Sequence, residues 1–175
     1  MKTLVKALLL AGAVALSTSA ISSNALAPDK PAGDPILTIT GHVTQANAGN
    51  TATFDLAMLE KLEKLDGRKA TMETPWTTVK TEFSGPYLRA VLAAAGASGK
   101  KLIIKALNDY ASEVPFDDAE KLDTILAVRM NGAEMSVREK GPIFLFYPFD
   151  KDHSLYNEKY FSRSVWQIKE IEVVE

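Results

Sequence analysis

Hydrophobic and polar residues change their spacing several times along the chain. The stretch "ILTITGHV" (36–43) alternates apolar and polar residues, which is typical of a half-buried strand. The stretch "FDLAMLEKLEKL" (54–65) changes to helical spacing, and Asp55 is well placed as the N-cap of the predicted helix. The residues predicted on the buried side of this helix are Leu56, Leu59, Leu62 and, less clearly, Met58.

The stretch "SGPYLRAVLAAAGA" (84–97) gives the clearest helical pattern in the chain. Ser84 before Pro86 predicts its start, and Gly96 predicts its stop. Just before it, "TMETPWTTV" (71–79) has the form of two short strand pieces interrupted by Pro75 and Trp76.

The second half of the chain reads mainly as strands. "KKLIIKAL" and "YASEVPF" flank a turn, Asn131-Gly132 predicts a type I′ hairpin, and "GPIFLFYP" and "SVWQIKEIEVVE" follow as further strands. About eight strands, two main helices and no repeated βαβ order predict an α+β fold with a mixed, mainly antiparallel sheet. The residues predicted to be mostly buried are Leu88, Val91, Leu92, Ile103, Ile125, Phe144, Leu145 and Phe146.

The first residues have the composition of an export signal. Lys2 and Lys6 precede an apolar run that is too short to span a bilayer, and an "ALA" site ends at Ala27. This pattern predicts a cleaved signal peptide over residues 1–27 and a periplasmic protein with no membrane span after cleavage. Residues 28–35 are predicted to form a flexible lead-in, and residues 36–175 a single domain.

Charge and cysteine content exclude several classes of function. The chain carries 20 basic and 22 acidic residues, and loss of the two leader lysines makes it more acidic. A net negative surface gives no electrostatic reason to expect a nucleic-acid partner. The chain has no cysteine, so thiolate nucleophiles and thiolate metal ligands are excluded. The sequence also lacks nucleotide-binding, zinc-protease and serine-hydrolase motifs, so no catalytic residue and no metal ligand are assigned.

Polar and aromatic residues at predicted strand ends form the candidate site. Arg138, Lys140 and Arg163 together could bind an anion, and Trp76 could offer a face for stacking. Turn formation, sheet packing and solvation explain the same residue types without any ligand, so both interpretations stay open. The candidate binding residues are Trp76, Asn108, Tyr110, Arg138, Lys140 and Arg163.

Three blocks resemble a known family, in the same order along the chain. "EFSGPYLRAVLAAAGA", "ALNDYASEVPFDDAEKLDTILAVRMNGAEMSVREKGPIFLFYP" and "SRSVWQIKEIEV" are similar to successive motifs of the sulfite oxidase-like, molybdopterin-binding oxidoreductase domain. The resemblance covers about residues 36–174. It implies the fold of that domain and makes molybdopterin a possible cofactor.

The chain departs from the family at positions that carry its chemistry. Catalytic members have a molybdenum-binding cysteine where this chain has Thr71, Glu73 and Thr74, and hydroxyls are poor substitutes for soft sulfur. Asp109 stands where the family has glycine, and Phe144 where it has arginine. Family-type catalysis is therefore not expected, and no cofactor is assigned.

Two classes of function follow from the resemblance and its departures. The first is a non-catalytic binding protein for a small anionic or pterin-like ligand, or for a membrane-bound sensor or redox partner. The second is an oxidoreductase that holds molybdopterin without a protein thiolate.

Overall fold

The computed structural model describes residues 28–175, and the predicted signal peptide lies outside the described residues. The strands are β1 (Leu37–Gly41), β2 (Ala52–Phe54), β3 (Gly67–Thr74), β4 (Thr77–Pro86), β5 (Lys101–Ala106), β6 (Ala111–Pro115), β7 (Ile125–Ala127), β8 (Arg129–Met130), β9 (Ala133–Glu134), β10 (Phe144–Phe146) and β11 (Ile168–Val174). The helices are α1 (Leu56–Asp66), α2 (Leu88–Ala94), α3 (Phe116–Glu120) and α4 (Glu158–Arg163).

The strands of the described region form three sheets, of five, four and two strands. The five-stranded sheet has the order β2-β1-β11-β5-β6, and its only parallel pair is β1 with β11. The four-stranded sheet has the order β3-β4-β8-β9, and β10 pairs with β7; all of these pairs are antiparallel. The predicted α+β class with mixed, mainly antiparallel sheets is confirmed.

The five-stranded sheet buries one face of each central strand. In β5, Leu102 and Ile104 are fully buried, whereas Ile103 between them points to the other face and is only half-buried. Ile103 is less buried than its two neighbours because side chains alternate between the two faces of a strand. The other seven residues of the predicted core are buried.

The clearest helical pattern begins later than the sequence predicts. Ser84 lies in β4, opposite Lys69 of β3, and helix α2 begins only at Leu88. At Gly85 a Cβ atom would lie 2.0 Å from the Leu126 carbonyl oxygen, so glycine allows β4 to pass close to β7. Strand pairing has overridden the local helix-start signal at Ser84, whereas the predicted stop at Gly96 agrees with its positive φ of 58°.

The N-cap of helix α1 agrees with the prediction. The Asp55 carboxylate accepts a hydrogen bond from the Met58 amide at 2.9 Å. Its other oxygen accepts from the amides of Ala32 and Gly33, each at 2.9 Å, so residues of the predicted flexible lead-in are held against the domain. Of the predicted buried side of α1, only Leu59 is fully buried.

The stretch "FDKDHSLYNEKY" (149–160) before the last strand is polar in sequence but contains more structure than its composition suggests. Helix α4 begins in it, and the Asn157 side chain accepts a hydrogen bond from the Lys159 amide at the helix start. The Asn131-Gly132 turn joins β8 to β9 with positive φ at both residues, as a type I′ hairpin requires. Within residues 28–175, no helix is long and apolar enough to cross a membrane.

Candidate functional site

Three separate parts of the chain meet around one open cavity. They are the tip of the β3–β4 hairpin, the turn between β5 and β6, and the segment from α4 to the start of β11. We call the cavity the Trp76 pocket, and its volume is about 420 Å³. Its lining residues are Trp76, Ala106, Asn108, Tyr110, Glu158, Phe161, Ser162, Ser164, Val165 and Trp166.

The tip of the β3–β4 hairpin is closed by two threonine hydroxyl groups. Thr74 Oγ1 and Thr77 Oγ1 lie 2.9 Å apart, and the Thr77 hydroxyl oxygen accepts from the Thr74 amide at 3.1 Å. The Trp76 amide donates to Thr74 Oγ1 at 3.2 Å. These bonds fix the backbone of the tip and place Trp76 at the pocket.

Aromatic rings stand at steep angles to one another around Trp76. Its ring centroid lies 5.8 Å from that of Phe161 and 6.2 Å from that of Trp166, with interplanar angles of 79° and 71°. Phe144 lies 5.3 Å beneath Trp76 and is fully buried, so it supports the wall from the core. Edge-to-face contacts of this kind are favourable for aromatic pairs, and they hold the walls in place.

The turn between β5 and β6 supplies a polar edge to the pocket. Asn108 accepts a hydrogen bond from the Tyr110 amide at 3.2 Å, and Asp109 adopts a positive φ of 64°. The Tyr110 hydroxyl donates to the Ser162 carbonyl at 3.2 Å, which links the turn to the end of α4. Tyr110 remains 50% exposed, so its ring is available to a ligand.

Arg163 does not line the pocket, although its neighbours Ser162 and Ser164 do. Its guanidinium donates to Asp118 Oδ2 at 2.9 Å, and the same oxygen accepts from the Tyr147 hydroxyl at 2.7 Å. Burial raises the pKa of the Tyr147 hydroxyl well above its ordinary value, and the hydrogen bond to Asp118 raises it further. We call Asp118, Tyr147 and Arg163 the buried ionic cluster; it ties α4 to α3 and to the end of β10.

The other two predicted cations lie outside the pocket lining. The Lys140 ammonium lies over the Trp166 ring, 4.5 Å from its centroid, and burial lowers the pKa of this lysine. Arg138 is exposed on the short 3-10 helix Val137–Glu139. Of the six predicted site residues, the structure therefore brings Trp76, Asn108 and Tyr110 together, places the Lys140 ammonium over the Trp166 ring, and leaves Arg138 and Arg163 out of the cavity lining.

The sequence did not single out the wall that α4 provides. Glu158, Phe161 and Ser162 belong to this helix, whose stretch reads as a polar loop. The available signal was Asn157, a favourable N-cap residue followed by an aromatic pair at Tyr160 and Phe161. A helix of six residues gives too short a pattern for its spacing to be recognised.

The fold and the pocket define a small α+β protein with an aromatic cavity where a hairpin tip, a turn and the segment from α4 to β11 meet. The sequence model of the oxidoreductase molybdopterin binding domain matches residues 38–175. The chain belongs to this family. A search of curated protein sequences finds no match.

A solved structure shares the fold. The sulfane dehydrogenase SoxCD from Paracoccus pantotrophus is 20% identical to this chain and superposes with a TM-score of 0.55. The match covers 79% of this chain and 37% of that chain. At this level of identity the likeness shows the fold alone.

The residues around the Trp76 pocket do not fit a metal-carrying pterin with a phosphate tail. Where the resemblance places the metal thiolate, the buried residue is Thr74, and its hydroxyl is engaged with Thr77. Arg163 is paired with Asp118, and among residues 28–175 no lysine or arginine lines the cavity. The same range holds no group of three or more His, Asp or Glu side chains placed to bind a metal ion.

Proposed function

We propose that this protein is an exported, non-catalytic member of the molybdopterin-binding domain family that holds a small ligand in the Trp76 pocket. The observation that carries the proposal is the hairpin tip itself. Trp76 there faces an open aromatic cavity, while Thr74 and Thr77 bond to each other in the segment where catalytic relatives have their cysteine. A cavity of this form, without the sulfur that tunes the metal, supports a member of the family that binds a ligand without catalysis.

The shape of the pocket supports a compact ligand with a flat or rounded apolar surface. Trp76, Phe161 and Trp166 present aromatic surface, and Asn108 and Ser162 offer polar groups that could orient a ligand. A pterin-like ring would suit such walls. An anionic group would have to reach Lys140 or Arg138, since Arg163 is already paired.

Two further parts of the proposal rest on the sequence. The leader pattern supports export to the periplasm, and the acidic surface supports a partner other than nucleic acid. A membrane-bound sensor or redox protein stays the predicted partner.

Metal and pterin analysis tests the non-catalytic assignment against the alternative of a thiolate-free molybdopterin enzyme. The full chain is produced in a Gram-negative host that makes molybdopterin, and the protein is purified from the periplasm. We expect molybdenum and pterin far below one per chain. Stoichiometric molybdenum would overturn the proposal and favour the oxidoreductase.

The same preparation tests export. N-terminal sequencing of the periplasmic protein should start near Pro28. Recovery of chains that retain Met1, or that stay in the cytoplasm, would contradict the localisation.

A further inference from the structure

The charges around the Trp76 pocket differ from those of an anion site. Its only charged lining residue among the described residues is Glu158, whose carboxylate would repel an anion. The remaining lining includes Trp76, Tyr110, Phe161 and Trp166, whose ring faces carry partial negative charge. Both features favour a positively charged ligand.

A neighbouring side chain already shows that one of these aromatic rings attracts a cation. The Lys140 ammonium lies 4.5 Å from the Trp166 ring centroid. The Arg163 guanidinium, which could have supplied an anion site, is paired with Asp118. Lys140 is therefore the cation that already lies on a ring of the pocket, that of Trp166.

We infer that the Trp76 pocket binds a small organic cation of the methylated-ammonium class. An ammonium ion wrapped in methyl groups is large and weakly hydrated, so it loses little when it leaves water for aromatic walls set at steep angles. The cavity of about 420 Å³ is large enough for such an ion. This inference rests on the proposed non-catalytic binding function and names the charge of its ligand, in place of the anion that the sequence suggested.

Lys140 distinguishes the two kinds of ligand. Its ammonium would attract an anion entering beside Trp166, but it would repel a cation and already covers part of that ring. Replacing Lys140 by alanine should therefore strengthen binding of a cation and weaken binding of an anion. The direction of the change decides between the two.

The first test compares three probes on molybdenum-free protein purified from the periplasm, by titration calorimetry. Choline is the cationic probe, and 3,3-dimethyl-1-butanol has the same shape with carbon in place of the charged nitrogen. Pterin-6-carboxylate is the flat anionic probe. We expect choline to bind about tenfold or more tightly than the neutral alcohol, as desolvated cation–π contacts predict. Equal affinities, tighter binding of the carboxylate, or no choline binding would overturn the inference.

The second test assigns the effect to the pocket. Glu158→Gln should weaken choline binding about fivefold or more while leaving the neutral alcohol unchanged, since the substitution removes only the attractive charge. Glu120→Gln, which removes an exposed acid on α3, is the matched control and should change neither affinity. Equal loss in both variants would mean that choline senses only net charge and would overturn the site.

The two proposals fail in different ways. Stoichiometric molybdenum in the purified protein overturns the non-catalytic function. If the molybdenum-free protein binds choline no more tightly than the neutral alcohol, the cation inference is overturned and the non-catalytic function stays in place.

Discussion

The two sides of helix α4 meet opposite surroundings. On one side Arg163 enters the buried ionic cluster, where it and Tyr147 both donate charge-assisted hydrogen bonds to the Asp118 carboxylate. On the other side Phe161 and Ser162 face the open Trp76 pocket. One short helix thus separates a largely buried charge pair from an aromatic cavity whose described lining contains no lysine or arginine.

This difference teaches how the chain distributes its charges. The arginine that the sequence offers to a ligand instead holds the wall of the pocket in place. A cluster of this kind fixes the position of α4 more than it adds to the net stability of the fold. A buried ion pair gains little net free energy over apolar packing, yet it is costly to break. Substitutions in the cluster should therefore change stability, and substitutions in the pocket should change binding.

The largest effect is expected from breaking the cluster. Asp118→Ala leaves the guanidinium of Arg163, whose side chain is 18% exposed, without its carboxylate. We expect the free energy of unfolding to fall by about 3–5 kcal/mol, as for other buried pairs that lose one partner. Urea denaturation at neutral pH measures it.

Two control variants sharpen this result. Asp117→Ala removes an exposed carboxylate from the same helix. This carboxylate pairs with Lys121 one turn later, at the surface, so its loss should cost less than about 0.5 kcal/mol. Tyr147→Phe removes one hydrogen bond to a charged group and should cost about 1.5–3 kcal/mol. Equal stability of the Asp118 and Asp117 variants would show that the cluster does not hold α4.

A substitution in the apolar core should lower the stability by a similar amount without removing a charge. Leu92 of α2 is 2% exposed, and Leu92→Ala should lower the free energy of unfolding by about 2–5 kcal/mol. Leu65→Ala, at a leucine that is 76% exposed, is the matched control and should cost under about 0.5 kcal/mol. A surface-level cost at Leu92 would mean that the packed face of α2 is a different one.

The carboxylate of Asp55 should give a smaller effect that depends on pH. Hydrogen bonds from the amides of Gly33 and Met58 lower the pKa of Asp55 in the folded protein. Its contribution to stability is thus complete above the unfolded pKa of about 4 and is lost as the pH falls through the lower folded pKa. Asp55→Asn should cost about 1 kcal/mol at pH 7, and the difference should shrink in more acidic buffer.

Urea denaturation over a series of pH values measures this loss. Asp34→Asn, at an exposed aspartate of the lead-in, should show no such dependence. A penalty for Asp55→Asn that stays constant down to acid pH would contradict the role of its charge.

Sequence reasoning succeeded where the signal was local. The N-cap at Asp55 and the Asn131-Gly132 hairpin follow from one residue and its immediate neighbours, and both are confirmed. The start of α2 was misplaced because Ser84 takes part in a sheet with β3, a contact that no local pattern reveals. Ile103 is less buried than Leu102 and Ile104 because it shares its face of β5 with Lys101 and Lys105, which the alternation of the strand already indicated.

The candidate site was predictable only in part, for the same reason. Trp76, Asn108 and Tyr110 lie at strand ends and meet in one cavity, as residues at neighbouring strand ends often do. The partner of Arg163, in contrast, lies 45 residues earlier in the chain, and nothing near either residue indicates the pair. An arginine or lysine found in the sequence is available to a ligand only if it is not paired with a buried carboxylate in the fold.

The smallest effect on stability and the clearest effect on binding should come together at Tyr110. This side chain is 50% exposed, and its hydroxyl makes one hydrogen bond, to the Ser162 carbonyl, at the surface. Tyr110→Ala should change the free energy of unfolding by less than about 0.5 kcal/mol. It should nevertheless weaken choline binding about three- to tenfold, because one aromatic wall is lost.

Tyr110→Phe keeps the ring and should bind choline nearly as well as the unaltered protein, measured by the same calorimetric titration. If Tyr110→Ala instead unfolds the protein as readily as Asp118→Ala does, the pocket and the buried ionic cluster are one structural unit, and the separation across α4 does not hold.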